Sequence, residues 1–565
     1  MEVHAATSWE NHLLTVGEDM PSVYRLCKQL TSVKTSTKPL IDANGNPKYA
    51  AIDRAELFAD SLERQFTPNP TPDIEHVQSV ETHVIGCLAN RLTPIENPVV
   101  FSPTQVRREF SRCKPRKAPG LDNITNMALR QAPRQTVAAI TRLYNGVLRI
   151  GHFPTDWKKG KVIMIHKPGK NPMNPESFRP ITLLPTLSKV LEKLILHQLQ
   201  QYITPRPEQF GFRPGHSTTL QLTRVVHELA VNNNKREYTA VVLLDMEKAF
   251  DRVWHEGLLH KLSTSSAPPL PLRLLKTIAT FLQDRSFCVA TEGHLSKPRP
   301  IRAGVPQGSC LSPALYAHYT NDIPVKDGAK LALYADDTAY MAASYRPKHA
   351  AEKLQPTLDT LIPWLAKWRM AMNIAKTQAT IVGPKHFLPP PIKINNEPIP
   401  WRPEFTYLGV TIDARLTMRS HVNKVINKAK TARALLRPLF DSKLPLRIRV
   451  ELVEALMIVW LDDLSAWLRS QVFVVFERMS EGGDVMPGNA APEPDLEKTC
   501  AAIMDNMPTV MYIFGEEKLK DAVHLSVHSL SHESLNKDLG FRLLDVFAVH
   551  FKRAAAIRNP SFDAN

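Results

Sequence analysis

Three carboxylates carry the most informative chemistry in this 565-residue chain. Asp245 follows the β-branched and apolar run Tyr238–Leu244, and about 90 residues later Asp336 and Asp337 stand between Ala329–Tyr334 and Thr338–Ala342. These runs predict a strand ending at Asp245 and an antiparallel hairpin with the two acids at its tip. If the strands are neighbours, the carboxylates converge. Mg²⁺ prefers oxygen ligands and is usually held by one or two carboxylates together with substrate phosphates and water, so converging acids can hold two ions about 4 Å apart. Such a pair suits in-line phosphoryl transfer: one ion lowers the pKa of an attacking hydroxyl, the other holds the departing pyrophosphate, and both stabilise charge at phosphorus. Each acid taken alone reads first as a solvated turn residue or a cap; it is their combination that points to chemistry.

Other elements must position these acids. Leu187, Val190, Leu191, Leu194, Ile195 and Leu199 recur at helical spacing, with Glu192, Lys193, His197 and Gln200 on the intervening polar side of a half-buried helix. After Asp245 the spacing of Phe250, Val253, Trp254 and Leu258 predicts a helix, giving strand, turn and helix in succession. A further helix is expected over Trp364–Met372, and another over His421–Arg437 with Val422, Val425, Ile426, Ala429 and Leu436 on one face. Lys424, Lys428, Lys430, Arg433 and Arg437 crowd the rest of that helix, either to track a phosphate backbone or as a solvated face.

Composition narrows the classes. The length allows roughly three to five domain-sized units. With 43% apolar and 22% charged residues the chain is expected to fold rather than remain disordered. Lys and Arg number 71 against 55 Asp and Glu, a net +16 that favours a polyanionic partner. Six scattered cysteines form no CxxC pair, so neither a zinc site nor a disulfide framework is expected, and a reducing intracellular setting fits. No signal peptide is expected, because MEVHAATSWENHLL has no basic start followed by a continuous apolar segment, and no membrane span, because the apolar stretch Ala455–Leu468 is broken by Asp462 and Asp463. Met479–Glu497 lacks Lys and Arg and is rich in Gly, Pro and acids, as an exposed linker would be.

Seven blocks in chain order carry a family resemblance: KAPGLD (Lys117–Asp122), SFRPITLL (Ser177–Leu184), EQFGFRPGHST (Glu208–Thr218), LLDMEKAFDRV (Leu243–Val253), GVPQGSCLSP (Gly304–Pro313), YADD (Tyr334–Asp337) and YLGVTID (Tyr407–Asp413). Over roughly residues 96–440 the chain resembles the reverse transcriptase of non-LTR retrotransposons, in particular the jockey-like elements of insects. The resemblance implies an α+β right-hand polymerase fold of fingers, palm and thumb, with an antiparallel palm sheet packed on helices. It implies an N-terminal connecting region over 1–95, fingers over 96–235, palm over 236–413, a basic helical thumb over 414–470 and a divergent linker and helical appendage over 471–565.

Matched motif by motif, Asp245 and Asp336 would be the metal ligands, with Asp337 supporting the catalytic site. Phe250 would set a ring against the sugar and exclude a 2′-hydroxyl, unless it is a packed helix residue. Gln307 and Gly308 would shape the nucleotide and template pocket, where glycine permits close backbone approach and the amide both donates and accepts. Lys167 and Arg179 would neutralise the triphosphate. Lys376 would protonate pyrophosphate, or serve only as a dipole partner beyond a helix end. Tyr407, Leu408 and Gly409 would support the primer end, with Tyr407 packing beneath the palm as the alternative. The implied cofactor is Mg²⁺, with Mn²⁺ able to substitute. The implied partners are an RNA template, a DNA primer, deoxynucleoside triphosphates and an element-encoded nucleic-acid-binding protein.

The chain also departs from this pattern. It begins in what resembles the segment that connects an endonuclease to the polymerase, so nicking activity is not carried over. After about Trp460 the resemblance fades, as a chimeric gene, a frame change or a decayed copy would produce. A catalytically silent nucleic-acid-binding relic or host-adopted protein is therefore the alternative from another class. A telomerase or intron-type polymerase is a third reading, which the YADD, FRPITLL and KAPGLD forms fit less well. Residence in nucleus and cytoplasm is expected, although KPRK (Lys114–Lys117) is short for an import signal.

Overall fold

A computed structural model describes residues 38–90, 99–265, 268–384 and 388–440. The expectations for Ala455–Leu468, for the linker after Met479 and for the C-terminal appendage lie outside the described residues. Along the chain, helices α1 (Ala51–Gln65) and α2 (Ile74–Ala89) precede strands β1 (Lys159–His166) and β2 (Phe178–Leu183). Helices α3 (Thr186–Leu199) and α4 (Thr218–Asn234) lead to strand β3 (Tyr238–Leu244), followed by α5 (His255–Thr264), β4 (Arg285–Thr291) and α6 (Ser312–Tyr319). The hairpin β5 (Ala329–Tyr334) and β6 (Asp337–Ser344) comes next, then α7 (Pro347–Lys367), β7 (Gln378–Val382), the hairpin β8 (Glu404–Tyr407) and β9 (Val410–Asp413), and α8 (Arg419–Phe440).

The central sheet has the order β7-β3-β6-β5 and is antiparallel throughout. β3 and β6 are direct neighbours, with Leu244 opposite Thr338. Asp245 therefore emerges beside the tip that carries Asp336 and Asp337. The strands are rich in Val, Leu, Ile and Ala, and Ala240, Val242, Leu333, Tyr340 and Ala379 are buried under the helices, as strands covered by helices must be. α7 packs on β3 and β6, and α4 on β3 and β5.

A second sheet joins β1 and β2 in antiparallel fashion and β1 with β4 in parallel. It is discontinuous in sequence: Lys159–Gly160 pair with Ser286–Phe287, from a segment that follows the central strand β3. α1 lies on β4, burying Phe58, Ala59 and Leu62 with Val162, Phe287 and Val289.

Two predicted helices differ from what forms. Residues 246–254 are a series of turns, and α5 starts only at His255. In this stretch Lys248 has a φ of 48°, and the carbonyls of Phe250 and Val253 accept hydrogen bonds from the amides of Val305 and Gly304 instead of propagating a helix. The helix expected over Trp364–Met372 is in fact the end of α7, which stops at Lys367; Arg369 then turns through a φ of 52°. Glu192 corrects the polar side assigned to α3, because it is fully buried. It accepts hydrogen bonds from Ser188 Oγ at 2.8 Å, Ser309 Oγ at 2.6 Å and the Cys310 amide at 2.7 Å, and these replace its lost hydration.

The acidic tip is held from outside by Glu208–Gly211. Ala335 has a φ of 57°, a conformation that costs a non-glycine residue roughly 1 kcal/mol. Gln209 grips it: its Oε1 accepts the Ala335 amide at 2.9 Å and its Nε2 donates to the Ala335 carbonyl at 3.4 Å. The Phe210 amide adds a bond to the Leu333 carbonyl, and the Leu333 amide one to the Glu208 carbonyl. A Cβ on Gly211 would lie 2.2 Å from the Ala335 nitrogen, so the contact requires glycine. Gly211→Ala should therefore cost about 1–3 kcal/mol by chemical denaturation. Gly86→Ala, in open space on α2, should instead gain up to about 1 kcal/mol.

Candidate active site

The sheet brings the three predicted acids to one end. Burial is the main cause that raises the Asp336 carboxyl above the ordinary carboxylate range; the neighbouring Asp245 charge adds to this and the Arg179 guanidinium opposes it. Asp337 is pushed up to about 6 by burial and then by Asp336 and Asp245. Both side chains keep solvent-exposed surface at the tip, so protein surrounds them without closing over them. Among the described residues no group of three or more His, Cys, Asp or Glu side chains is arranged to hold a metal ion on its own.

Cations face the acids. Lys376 lies in the turn Ile374–Lys376, well beyond the end of α7, and its Nζ is 3.1 Å from Asp245 Oδ2. It closes this short 3-10 helical turn and is at the same time an ion-pair partner of Asp245. Lys167 donates from Nζ to the Glu176 carbonyl at 2.9 Å; burial lowers its pKa, and Arg179, Lys376 and Lys248 add to that by repulsion. Lys167 thus lies within electrostatic reach of Arg179, Lys376 and Lys248. Arg179 stands exposed on β2, opposite Ile165. Lys248 lies within LLDMEKAFDRV, and its charge near the site is a tertiary effect that the local pattern does not show.

Phe250 is half-buried in the turns after β3, not in a helix. Its ring stacks on Tyr316 with centroids 4.4 Å apart at 23°, and Phe212 meets it edge-on at 6.2 Å. Tyr316 in turn feels the charges of Asp336 and Asp337, which ties this aromatic stack to the acidic end of the sheet.

The loop Gly304–Leu311 forms the opposite wall. The Thr182 amide donates to the Gln307 carbonyl at 2.8 Å. Gly308 has a φ of 127°, and a Cβ there would meet the Thr182 oxygen at 2.3 Å. Gln307 Nε2 donates to both oxygens of Asp251, at 2.9 and 3.0 Å. Asp251 is 4% exposed, and burial pushes its pKa up to about 6 although the bonds from Gln65 and Gln307 pull it down. The pattern of polar residues alone did not single out Asp251, Glu192 or Gln209.

Tyr407 is buried, with its hydroxyl accepting from Gln221 Nε2 at 3.2 Å. Leu408 and Gly409 form the two-residue turn of the β8–β9 hairpin with φ of 47° and 88°, the tight type that leaves only its tip exposed. On α8, Val422 and Val425 are buried, while Lys424 is engaged with Glu404 at 3.0 Å and with Thr411 at 3.1 Å. Lys428 and Lys430 are exposed; the side chains of Ala429, Arg433, Leu436 and Arg437 lie outside the described residues. Cys87, Cys113, Cys288 and Cys310 are free thiols, and no described helix is long and apolar enough to cross a membrane.

The folded-state pKa of Asp251 lies above its unfolded value of 3.8, so its protonated form favours folding at low pH, and that contribution is lost as pH rises through about 6. Asp251→Asn cannot ionise. Denaturation curves should therefore show the parent losing on the order of 3 kcal/mol relative to this variant between pH about 4 and 7.

Comparison with known proteins agrees with this geometry. Residues 165–412 match the family model described as reverse transcriptase (RNA-dependent DNA polymerase). The chain is 35% identical over 437 residues to a probable RNA-directed DNA polymerase from transposon X-element of Drosophila melanogaster, covering 75% of this chain and 47% of that protein. It is 33% identical over 466 residues to the probable RNA-directed DNA polymerase from transposon BS of the same species, covering 79% and 50%. It is 32% identical over 457 residues to the RNA-directed DNA polymerase from mobile element jockey, again of Drosophila melanogaster, covering 77% and 48%. The chain thus spans about half the length of the curated relatives it matches. The segment that matches the reverse transcriptase (RNA-dependent DNA polymerase) family model, residues 165–412, runs through the antiparallel sheet that carries the acids at one end.

Proposed function

We propose that this chain is an RNA-directed DNA polymerase of a non-LTR retrotransposon, extending a primer 3′-hydroxyl along an RNA template with deoxynucleoside triphosphates. The observation that carries this reading is the convergence of Asp245 with the Asp336–Asp337 tip inside the family-matched segment. In this reading the second sheet with its flanking helices forms the fingers, the central sheet the palm, and α8 begins the thumb. The relatives' names favour the active reading over a silent relic.

Asp245 and Asp336 would hold Mg²⁺ or Mn²⁺, and their donor chemistry fits: two oxygen ligands whose mutual repulsion a dication relieves. When bound, such ions supply a lowered pKa at the attacking hydroxyl and charge neutralisation at phosphorus. The chain's own residues do the rest. Lys167 and Arg179 bind the triphosphate as it enters. The Phe250 ring, fixed by Tyr316, bars a 2′-hydroxyl. Gln307 and Gly308 bound the base and template. The primer 3′-hydroxyl gives up its proton to water as its oxygen attacks the α-phosphorus, a new P–O bond forms, the bond from the α-phosphorus to the bridging oxygen breaks, and pyrophosphate departs. Lys376, tethered at Asp245, delivers a proton to it. The Leu408–Gly409 tip supports the primer strand, with Tyr407 packed below, and Lys428 and Lys430 offer phosphate contacts.

The test is dTTP incorporation on poly(rA) primed with oligo(dT). Asp245→Ala and Asp336→Ala should each fall to background while retaining template binding; synthesis by either variant, or none by the parent, would contradict the reading. Phe250→Ala should accept ribonucleotides at least about tenfold better than the parent, measured as the ratio of kcat/KM values.

A further inference from the structure

Asp251 is a buried acid to which the reaction assigns no task. It is 4% exposed, and its two oxygens accept Gln307 Nε2 at 2.9 and 3.0 Å, while Oδ2 also accepts Gln65 Nε2 at 2.5 Å. An amide presents donors at one end and an acceptor at the other. With Nε2 tied to Asp251, the acceptor Oε1 of Gln307 is the atom left for a nucleotide or template base. The Gln307 main chain is fixed as well, through its carbonyl to the Thr182 amide at 2.8 Å.

The brace comes from far away in sequence. Gln65 is the last residue of α1, 100 residues before the family-matched segment begins at 165. The adjoining Phe66 carbonyl accepts both the Arg302 and the Ala303 amides at 3.0 Å, immediately before Gly304. The end of α1 is thereby stitched to the entry of the Gly304–Leu311 loop at the same point where its last side chain meets Asp251. Packing alone would not require a carboxylate there; an acid shared by two glutamine amides specifies which way each amide turns.

We propose that Asp251, braced by Gln65, is a positioning residue that holds the Gln307 amide in the orientation required for the incoming nucleotide, which makes the end of α1 a working part of the nucleotide pocket. The inference rests on the polymerase reading. Asp251→Asn sets an amide donor against the two glutamine donors, and Gln65→Leu removes only the brace. On primed poly(rA), each should raise KM for dTTP by about tenfold with kcat changed by less than about twofold. The double variant Asp251→Asn with Gln307→Ala should show the KM of Gln307→Ala alone, because both act through one amide. Multiplied effects, or a loss confined to kcat, would overturn the inference. If Asp251→Asn fails to melt cooperatively, Gln65→Leu decides: an unchanged KM rejects the proposal. A parent that incorporates nothing denies the polymerase reading and this inference with it, whereas an active parent with an additive cycle denies this inference alone.

Discussion

The structure is organised around a repulsion. Asp245, Asp336 and Asp337 are brought to one end of the central sheet although Asp245 raises the cost of charging Asp336, and both raise the cost of charging Asp337, on top of burial. Nothing in the acids themselves favours this arrangement; the β3–β6 pairing imposes it, because Leu244 faces Thr338 and the residues beyond must share the same end. The tip is then kept in a left-handed turn at Ala335 by Gln209, through both its amide oxygen and its amide nitrogen. Lys376 and Arg179 offset the charge from the sides. Such a cluster is costly to charge by itself, and positive charge beside it lowers that cost.

The wall opposite the acids follows a related rule. Its loop is held between two buried carboxylates, Glu192 of α3 at Ser309 and Cys310, and Asp251 at Gln307. Each loses hydration and regains it as directed hydrogen bonds, so the loop between them is fixed in orientation as well as in position. Gly308 fits only because no Cβ intervenes between it and Thr182. The loop is therefore tied to α3, to β2 and to the turns after β3 through polar contacts of defined direction, where apolar contacts would leave the angle of Gln307 undetermined.

What the sequence discloses follows from how local each signal is. The strand runs at Tyr238–Leu244 and Ala329–Tyr334 and the hairpin tip that follows the second are local, and the acids at their ends are legible with them. Phe250 is legible as an aromatic near the site, but its helix is not, because the Gly304–Val305 amides take the carbonyls that a helix would use, and that partner is over 50 residues away. Glu192 reads as a solvent-facing residue by periodicity, since two of its donors, Ser309 and Cys310, lie beyond any local window. Asp251 and Gln209 are hidden for the same reason: a buried polar group is defined by partners that only the tertiary fold supplies.

The measurement that tests the central claim most directly counts bound Mn²⁺ by electron paramagnetic resonance, with the chain on an RNA template, a 3′-terminated DNA primer and dTTP. If the converging carboxylates exist to share dications with the nucleotide, the parent should bind about two ions, and Asp336→Asn should lose at least one. Equal ion binding in parent and variant would contradict the account.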